Sequence, residues 1–178
     1  LGTFSKNLVP GLRTGWVHAA PSVINRLAQE KQFVDLHSNN LAQMIVHAAL
    51  EENSLPLHLA MVRREYKKRR NAMAAAIKKY CGAAMRFELP EGGLYIWGRL
   101  NPTILPTELL RRAAPLGISF IPGDAFYAHG AVSHEIRLCF ATHDEERLAE
   151  GIRRLAKALN VATAEESLPA ASAGRPII

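Results

Sequence analysis

Lys6, Thr3, Ser5 and Arg13 are the residues whose types and spacing could do chemistry together. They lie in the stretch LGTFSKNLVPGLRTGW, residues 1–16, with Arg13 seven positions after the lysine. A lysine amine becomes a covalent catalyst when its pKa is lowered and an aldehyde is held still against it. An aldehyde that carries a phosphate also needs hydroxyls and an arginine fork nearby. Thr3, Ser5 and Arg13 supply those groups, and Pro10 and Gly11 let the loop turn so that Arg13 can come back beside Lys6. Lysines next to Ser and Thr are also common in surface loops, and taken alone the stretch reads as one.

Several other chemical candidates read as structural. The seven histidines show no metal-ligand spacing, and His129 and His134, five apart in a loop, read as solvated. Tyr95 and Trp97 read as core strand aromatics, while Phe126 and Tyr127 suit either loop packing or the wall of a site. Gly92, Gly93 and Gly123 read as turn residues, since none opens a helix in a strand–turn–helix unit as a phosphate loop would.

These side chains need elements to position them. Residues 1–20 read as strand end, loop and strand, with β character in RTGWVHAA. Pro21 and Ser22 start a helix expected over residues 23–32. SNNLAQMIVHAALEEN, residues 38–53, begins with capping residues and sets Leu41, Ile45, Ala48 and Ala49 at helical spacing. A long helix follows, with Pro56 tolerated in its first turn, and Cys81-Gly82 ends it. Beyond residue 82 the pattern changes to short β-like runs: MRFEL, GLYIWGRL, GISFIPG and EIRLCFA. Among them PTELLRRAAPLG reads as a helix with Thr107 as a cap. HDEERLAEGIRRLAKAL reads as a final helix behind a capping box of Thr142 and Glu145, with Leu148, Ile152, Leu155 and Leu159 as its apolar stripe. The segment from Val161 onward is Ala/Ser/Pro-rich and aperiodic, and is expected to be disordered.

Composition sets the class. The chain has 178 residues, 48% hydrophobic and 21% charged, which suits one large or two small globular domains. A chain this long buries roughly two thirds of its unfolded surface and needs no disulfide or metal staple. Cys81 and Cys139 are too few for a disulfide framework and sit in apolar settings, as buried thiols of a reducing cytoplasm do. No run is apolar for long enough to span a bilayer. The net charge of +6 permits a nucleic-acid partner without requiring one. Much of it comes from RREYKKRR, residues 63–70, whose six cations spread around a helix and read as a solvated face.

The motifs resemble a known family. GTFSKNLVPGLRTGW is similar to the lysine signature of the fold-type I pyridoxal-phosphate (PLP) aminotransferases of class I/II. It is most similar to the branch that holds 2-aminoadipate aminotransferases and the MocR-like regulators of the GntR type. Five further segments match in order: DLHSNNLAQ (35–43), YKKRRNAM (66–73), PEGGLYIW (90–97), GISFIPGDAFY (117–127) and EIRLCFA (135–141). The resemblance implies an α/β fold: the C-terminal part of a PLP-dependent transferase. Residues 1–78 would be the mostly helical end of the large domain, 79–160 the small α/β domain, and 161–178 the tail.

The resemblance also implies roles. Lys6 would join covalently to the cofactor aldehyde and move the proton at the substrate Cα. Arg13 would bind the cofactor phosphate with Thr3 and Ser5 as hydroxyl partners. Arg137 would hold the substrate α-carboxylate in a bidentate fork that a lysine could not reproduce. Ser38 would either reach a neighbouring subunit's phosphate or cap a helix. The implied activity is amino transfer between an amino acid and a 2-oxo acid in a cytoplasmic homodimer. The alternative is the ligand-sensing domain of a MocR-type regulator, where DNA would be a partner through a helix-turn-helix preceding Leu1. In this family the acid facing the pyridinium nitrogen lies upstream of the lysine, as do an aromatic group against the ring and a glycine-rich phosphate turn. The chain is therefore expected to be the C-terminal part of a longer polypeptide. By itself it would bind the cofactor weakly or not at all, and would not turn over substrate.

Overall fold

A computed structural model describes residues 1–128, 130 and 133–166, with side chains through residue 160. The chain divides into two compact units, Leu1–Arg64 and Glu65–Ile178. The division falls inside a long helix, earlier than the boundary expected at residue 78.

The first unit opens with two short antiparallel strands, β1 (Gly2–Thr3) and β2 (Gly15–Trp16). Helices α1 (Pro21–Val34) and α2 (Asn40–Glu51) follow, then the start of α3 (Leu55–Tyr80). Pro21 begins α1 because its fixed φ suits the first helical position and its missing N–H would have had no helical partner. The α2 N-cap is Asn39, whose side chain accepts from the Ala42 amide at 3.0 Å. Ser38, one of two roles expected for which was to cap this helix, stands one residue outside the cap. Only Ala42 and Val46 of this unit are fully buried among the described residues, while Phe33, Val34, Leu41 and Met44 are exposed.

The second unit is built on a four-stranded antiparallel sheet of order β3-β4-β6-β5. Its strands are β3 (Met85–Phe87), β4 (Tyr95–Leu100), β5 (Ile121–Pro122) and β6 (Glu135–Cys139). Alternation along YIWGRL sends Ile96, Gly98 and Leu100 to one face and Tyr95, Trp97 and Arg99 to the other. The first face joins a core with Met73 and Ile77 of α3, Leu109 of α4 (Pro106–Ala113), and Leu148, Ile152, Leu155 and Leu159 of α5 (Glu145–Glu166). Burying each large aliphatic residue there stabilises the fold by about 1.5–3 kcal/mol. Gly98 belongs to this face because a Cβ would lie 2.9 Å from Met85 Sδ. Tyr95 and Trp97, expected in the core, instead occupy the opposite face, half-buried and exposed respectively.

Three helix ends differ from expectation. Helix α4 starts at Pro106 with no side-chain cap, so Thr107 lies inside the helix. Helix α5 is capped by Asp144, whose Oδ1 accepts from the Arg147 amide at 2.8 Å. Thr142 instead meets the Cys139 sulfur at 3.3 Å. A carboxylate nearer the helix start is both the better acceptor and the better match to the helix dipole. The α5 backbone continues to Glu166, past the expected start of the tail, and residues 167–178 lie outside those described.

The basic run of α3 is only partly a solvated face. Arg69 donates to the Ala141 carbonyl at 2.7 Å and Arg70 to the Pro90 carbonyl at 2.8 Å, and both are half-buried. Tyr66, one turn earlier in the same run, meets Phe140 edge to face. His129 lies outside the described residues, whereas His134 is half-buried with Nδ1 3.2 Å from the Ile104 carbonyl, not solvated. Cys81 is buried and Cys139 half-buried, and both are free thiols. No helix among the described residues is long and apolar enough to cross a membrane.

Candidate active site

In the first unit, the segment from β1 to β2 folds back on itself. The Phe4 amide donates to the Thr14 carbonyl at 3.0 Å, and the Leu8 amide to the Phe4 carbonyl at 2.8 Å. Between them a helical turn at Pro10–Leu12 reverses the chain and ends on Arg13 in the left-handed region, at φ 51°. A non-glycine residue held there costs roughly 1–2 kcal/mol, so its side chain is placed at the expense of backbone strain. The placement brings three expected residues together. Arg13 Nη1 donates to Ser5 Oγ at 3.4 Å and to the Pro10 carbonyl at 3.3 Å. Thr3 Oγ1 accepts from the Ser5 amide at 3.1 Å and donates to the Thr14 carbonyl at 3.4 Å. Lys6 follows Ser5 on the same turn, exposed, and among the described residues its amine makes no hydrogen bond or ion pair. Ser38 is exposed, and its carbonyl accepts from His37 at 2.9 Å.

In the second unit, Arg137 stands on the sheet face opposite the core. Its strand partners are Trp97 on β4 and Ile121 on β5. Its guanidinium carbon lies 4.2 Å from the Tyr95 ring centre and 4.5 Å from that of Phe126. Trp97 meets Phe126 edge to face at 5.3 Å. Guanidinium faces are poorly hydrated and stack well on aromatic rings, whereas the donors lie on the edge. Among the described residues Arg137 makes no hydrogen bond or ion pair, so those edge donors are unspent.

Beside it lies a second constellation. The Glu135 carboxylate accepts from Ser133 Oγ at 2.5 Å, Tyr127 OH at 2.9 Å and Arg99 Nη2 at 2.9 Å. Hydrogen bonding to Ser133 and Arg99 holds its pKa below the ordinary carboxylate value. The same carboxylate, through its hydrogen bond, raises the pKa of Tyr127.

Phe126 and Tyr127 stand out in the sequence as loop packing or the wall of a site, whereas Tyr95 and Trp97 read as core and Glu135 was not singled out. The signal for the strand pair was present: period-two alternation puts Tyr95 and Trp97 on one face of β4. For Glu135 the local sequence offers only Ser133 two residues ahead, since Arg99 comes from β4 and Tyr127 from the end of the preceding turn.

The chain matches the family model "Aminotransferase class I and II" over residues 1–155. It is 39% identical to aromatic-amino-acid aminotransferase 1 of Thermococcus litoralis over 159 residues, 89% of this chain and 38% of that protein. It is 31% identical to the uncharacterised HTH-type transcriptional regulator YisV of Bacillus subtilis, over 88% of this chain and 32% of that one. Among solved structures it superimposes at a TM-score of 0.86 on α-aminoadipate aminotransferase LysN of Thermus thermophilus, complexed with N-(5'-phosphopyridoxyl)-L-leucine. The two are 39% identical over 91% of this chain and 41% of that one. The chain thus spans about two fifths of the length of the relatives it matches. Its hydroxyl–guanidinium cluster beside Lys6 and its aromatic-flanked arginine stand within this match, and the chain belongs to the class I and II aminotransferase family.

Proposed function

We propose that this chain is the lysine-bearing, carboxylate-binding part of a PLP-dependent aminotransferase that moves an amino group from an α-amino acid to a 2-oxo acid. The observation that carries the reading is the cluster of Thr3, Ser5 and Arg13 on the turn that bears Lys6, whose amine makes no hydrogen bond or ion pair among the described residues. A guanidinium with two hydroxyls suits a phosphate, and an amine without an ion-pair partner suits an aldehyde, so the donor set fits a phosphorylated aldehyde cofactor.

When bound, PLP supplies the aldehyde that joins amines and a ring that accepts electron density from the substrate Cα. This chain's residues supply part of the remaining machinery. Arg13 with Thr3 and Ser5 holds the phosphate. Lys6 Nζ would anchor the cofactor and, once the substrate amine has displaced it, the freed amine would take the proton from the substrate Cα. Arg137 offers its edge donors to the α-carboxylate while Tyr95 and Phe126 hold the guanidinium in place. A cytoplasmic homodimer, with Ser38 directed to the neighbouring subunit's phosphate, completes the reading.

The 31% identity to an HTH-type regulator supports a second reading, in which the same site senses an amino acid and gates DNA binding. The higher identity to an aminotransferase favours catalysis. A helix-turn-helix encoded upstream of Leu1 would reverse that preference.

The test uses the native polypeptide that carries this chain. With PLP, borohydride reduction followed by peptide mapping is expected to place the label on Lys6; a label on Lys78 or Lys79 overturns the assignment. Arg137→Ala is expected to weaken amino-acid binding by about 1.5–3 kcal/mol, the worth of charged hydrogen bonds. Unchanged affinity removes Arg137 from the site.

A further inference from the structure

Glu135 is buried, 6% exposed, yet it carries a carboxylate, and no step of the proposed reaction uses it. A buried carboxylate is retained only where donors surround it. Here they come from three places: Ser133 just ahead of it, Arg99 on the neighbouring strand, and Tyr127 at the end of the preceding turn. Ser133 is equally buried and closes a small ring, accepting from the Glu135 amide at 3.0 Å while donating to the carboxylate.

The turn Gly123–Phe126 is held against this cluster at both ends. At Gly123 a Cβ would clash with Ser133 Oγ and lie 2.9 Å from Glu135 Cβ, so only glycine allows the backbone this close. At the other end the Tyr127 hydroxyl is fastened to Glu135 Oε2. Between the two anchors sits Phe126, whose ring covers the Arg137 guanidinium.

Glu135 and Arg137 are two apart on β6 and share a sheet face. An unsatisfied carboxylate at that spacing would draw the Arg137 guanidinium into an ion pair and spend its donors. Both Glu135 oxygens are already occupied, Oε1 by Arg99 and Oε2 by Tyr127 and Ser133.

We propose that Glu135 is a positioning residue for Arg137. By anchoring Ser133 and Tyr127 it fixes the turn that lays Phe126 on the guanidinium, and by being saturated it leaves the guanidinium edge open to an incoming carboxylate. The second half of this inference rests on Arg137 binding the substrate, as proposed above; the geometry of the first half does not.

The test compares Tyr127→Phe and Glu135→Gln with wild type in the native polypeptide, by two readouts. The first is the Arg137 Nε–Hε resonance, assigned by its loss in Arg137→Lys. Stacking between Tyr95 and Phe126 shifts this signal upfield, and both variants are expected to move it toward the position of free arginine. The second is steady-state kinetics, in which KM for the amino acid is expected to rise about tenfold while kcat stays within about twofold, as for loss of binding without loss of chemistry. Tyr127→Phe removes a single hydroxyl, so it decides the matter if Glu135→Gln fails to fold. An unmoved Arg137 resonance in a folded Tyr127→Phe variant overturns the proposal. So does an unchanged KM in a variant whose resonance has moved. If the wild-type protein transfers no amino group, the proposed function falls, while the resonance still tests whether Glu135 positions Arg137.

Discussion

Arg137 lies over the Tyr95 ring on the sheet face opposite the core, the guanidinium carbon 4.2 Å from the ring centre. Tyr95 pairs across the strands with Cys139 and Arg137 with Trp97, so the stack is a diagonal contact between β4 and β6. Diagonal neighbours are within reach of long and aromatic side chains. The contact is expected to contribute about 0.5–2 kcal/mol, the range for partly desolvated cation–π pairs. A double-mutant cycle with Tyr95→Leu and Arg137→Met, read by urea unfolding, measures it. A coupling energy of zero would mean that the two groups are adjacent without interacting.

Arg13 occupies the left-handed region at φ 51°, where glycine is at ease. Arg13→Gly relieves strain but frees the unfolded chain, and the two effects are each about 1 kcal/mol. Stability is therefore expected to stay within about 1 kcal/mol of wild type while affinity for PLP, measured by fluorescence titration of the native polypeptide, falls at least tenfold. A variant that binds PLP normally would show that the guanidinium does not hold the phosphate.

Burial pushes the Cys81 thiol up to about 11 from its ordinary value. The thiolate is disfavoured in the fold, so stability is complete below the thiol's ordinary pKa and is lost as pH rises from about 9 to about 11. Cys81→Ala is expected to flatten that alkaline limb. At neutral pH iodoacetamide should label half-buried Cys139 well before buried Cys81, as mass spectrometry of cysteine peptides will show. Equal labelling rates would place Cys81 at the surface.

Glu135 has its pKa lowered in the fold by Ser133 first and then Arg99, with Tyr127 also donating. Its contribution to stability is present above the ordinary carboxylate pKa and disappears as pH falls through the lower folded value. Glu108, beside Arg111 and Arg112, and Glu150, beside Arg153 and Arg154, are held at about 2 and act in the same direction. Glu135→Gln is expected to be less stable than wild type at pH 7 and to lose less stability between about pH 5 and pH 3. Parallel acid-unfolding curves by circular dichroism would show that the carboxylate is not stabilised by its neighbours.

Much of the architecture was legible from local pattern. Apolar residues at helical spacing identified α2 and α5, a long helical run ended by Cys81-Gly82 identified α3, and short β-like runs identified β4 and β6. Both patterns report which side of an element meets apolar surroundings, and that is a property of a few consecutive residues. Helix caps were less legible. Asn39 and Asp144 displaced Ser38 and Thr142 because neighbouring residues of similar capping strength compete, and the winner depends on where the chain enters the helix. The run GISFIPG yielded only the two-residue edge strand Ile121–Pro122, since proline cannot donate to a ladder.

The sequence by itself determined the family, the lysine-to-arginine spacing of the first turn and the elements that carry Arg137. Covalent proximity and local periodicity are enough for these. Only the tertiary structure decided that Tyr95 and Trp97 leave the core for the face of Arg137, that Phe126 covers its guanidinium, and that Glu135 holds the turn in place. Those contacts join a strand, a turn and a second strand far apart in the chain. Their energies depend on register and on what is left exposed to water, and no short window of residues encodes either.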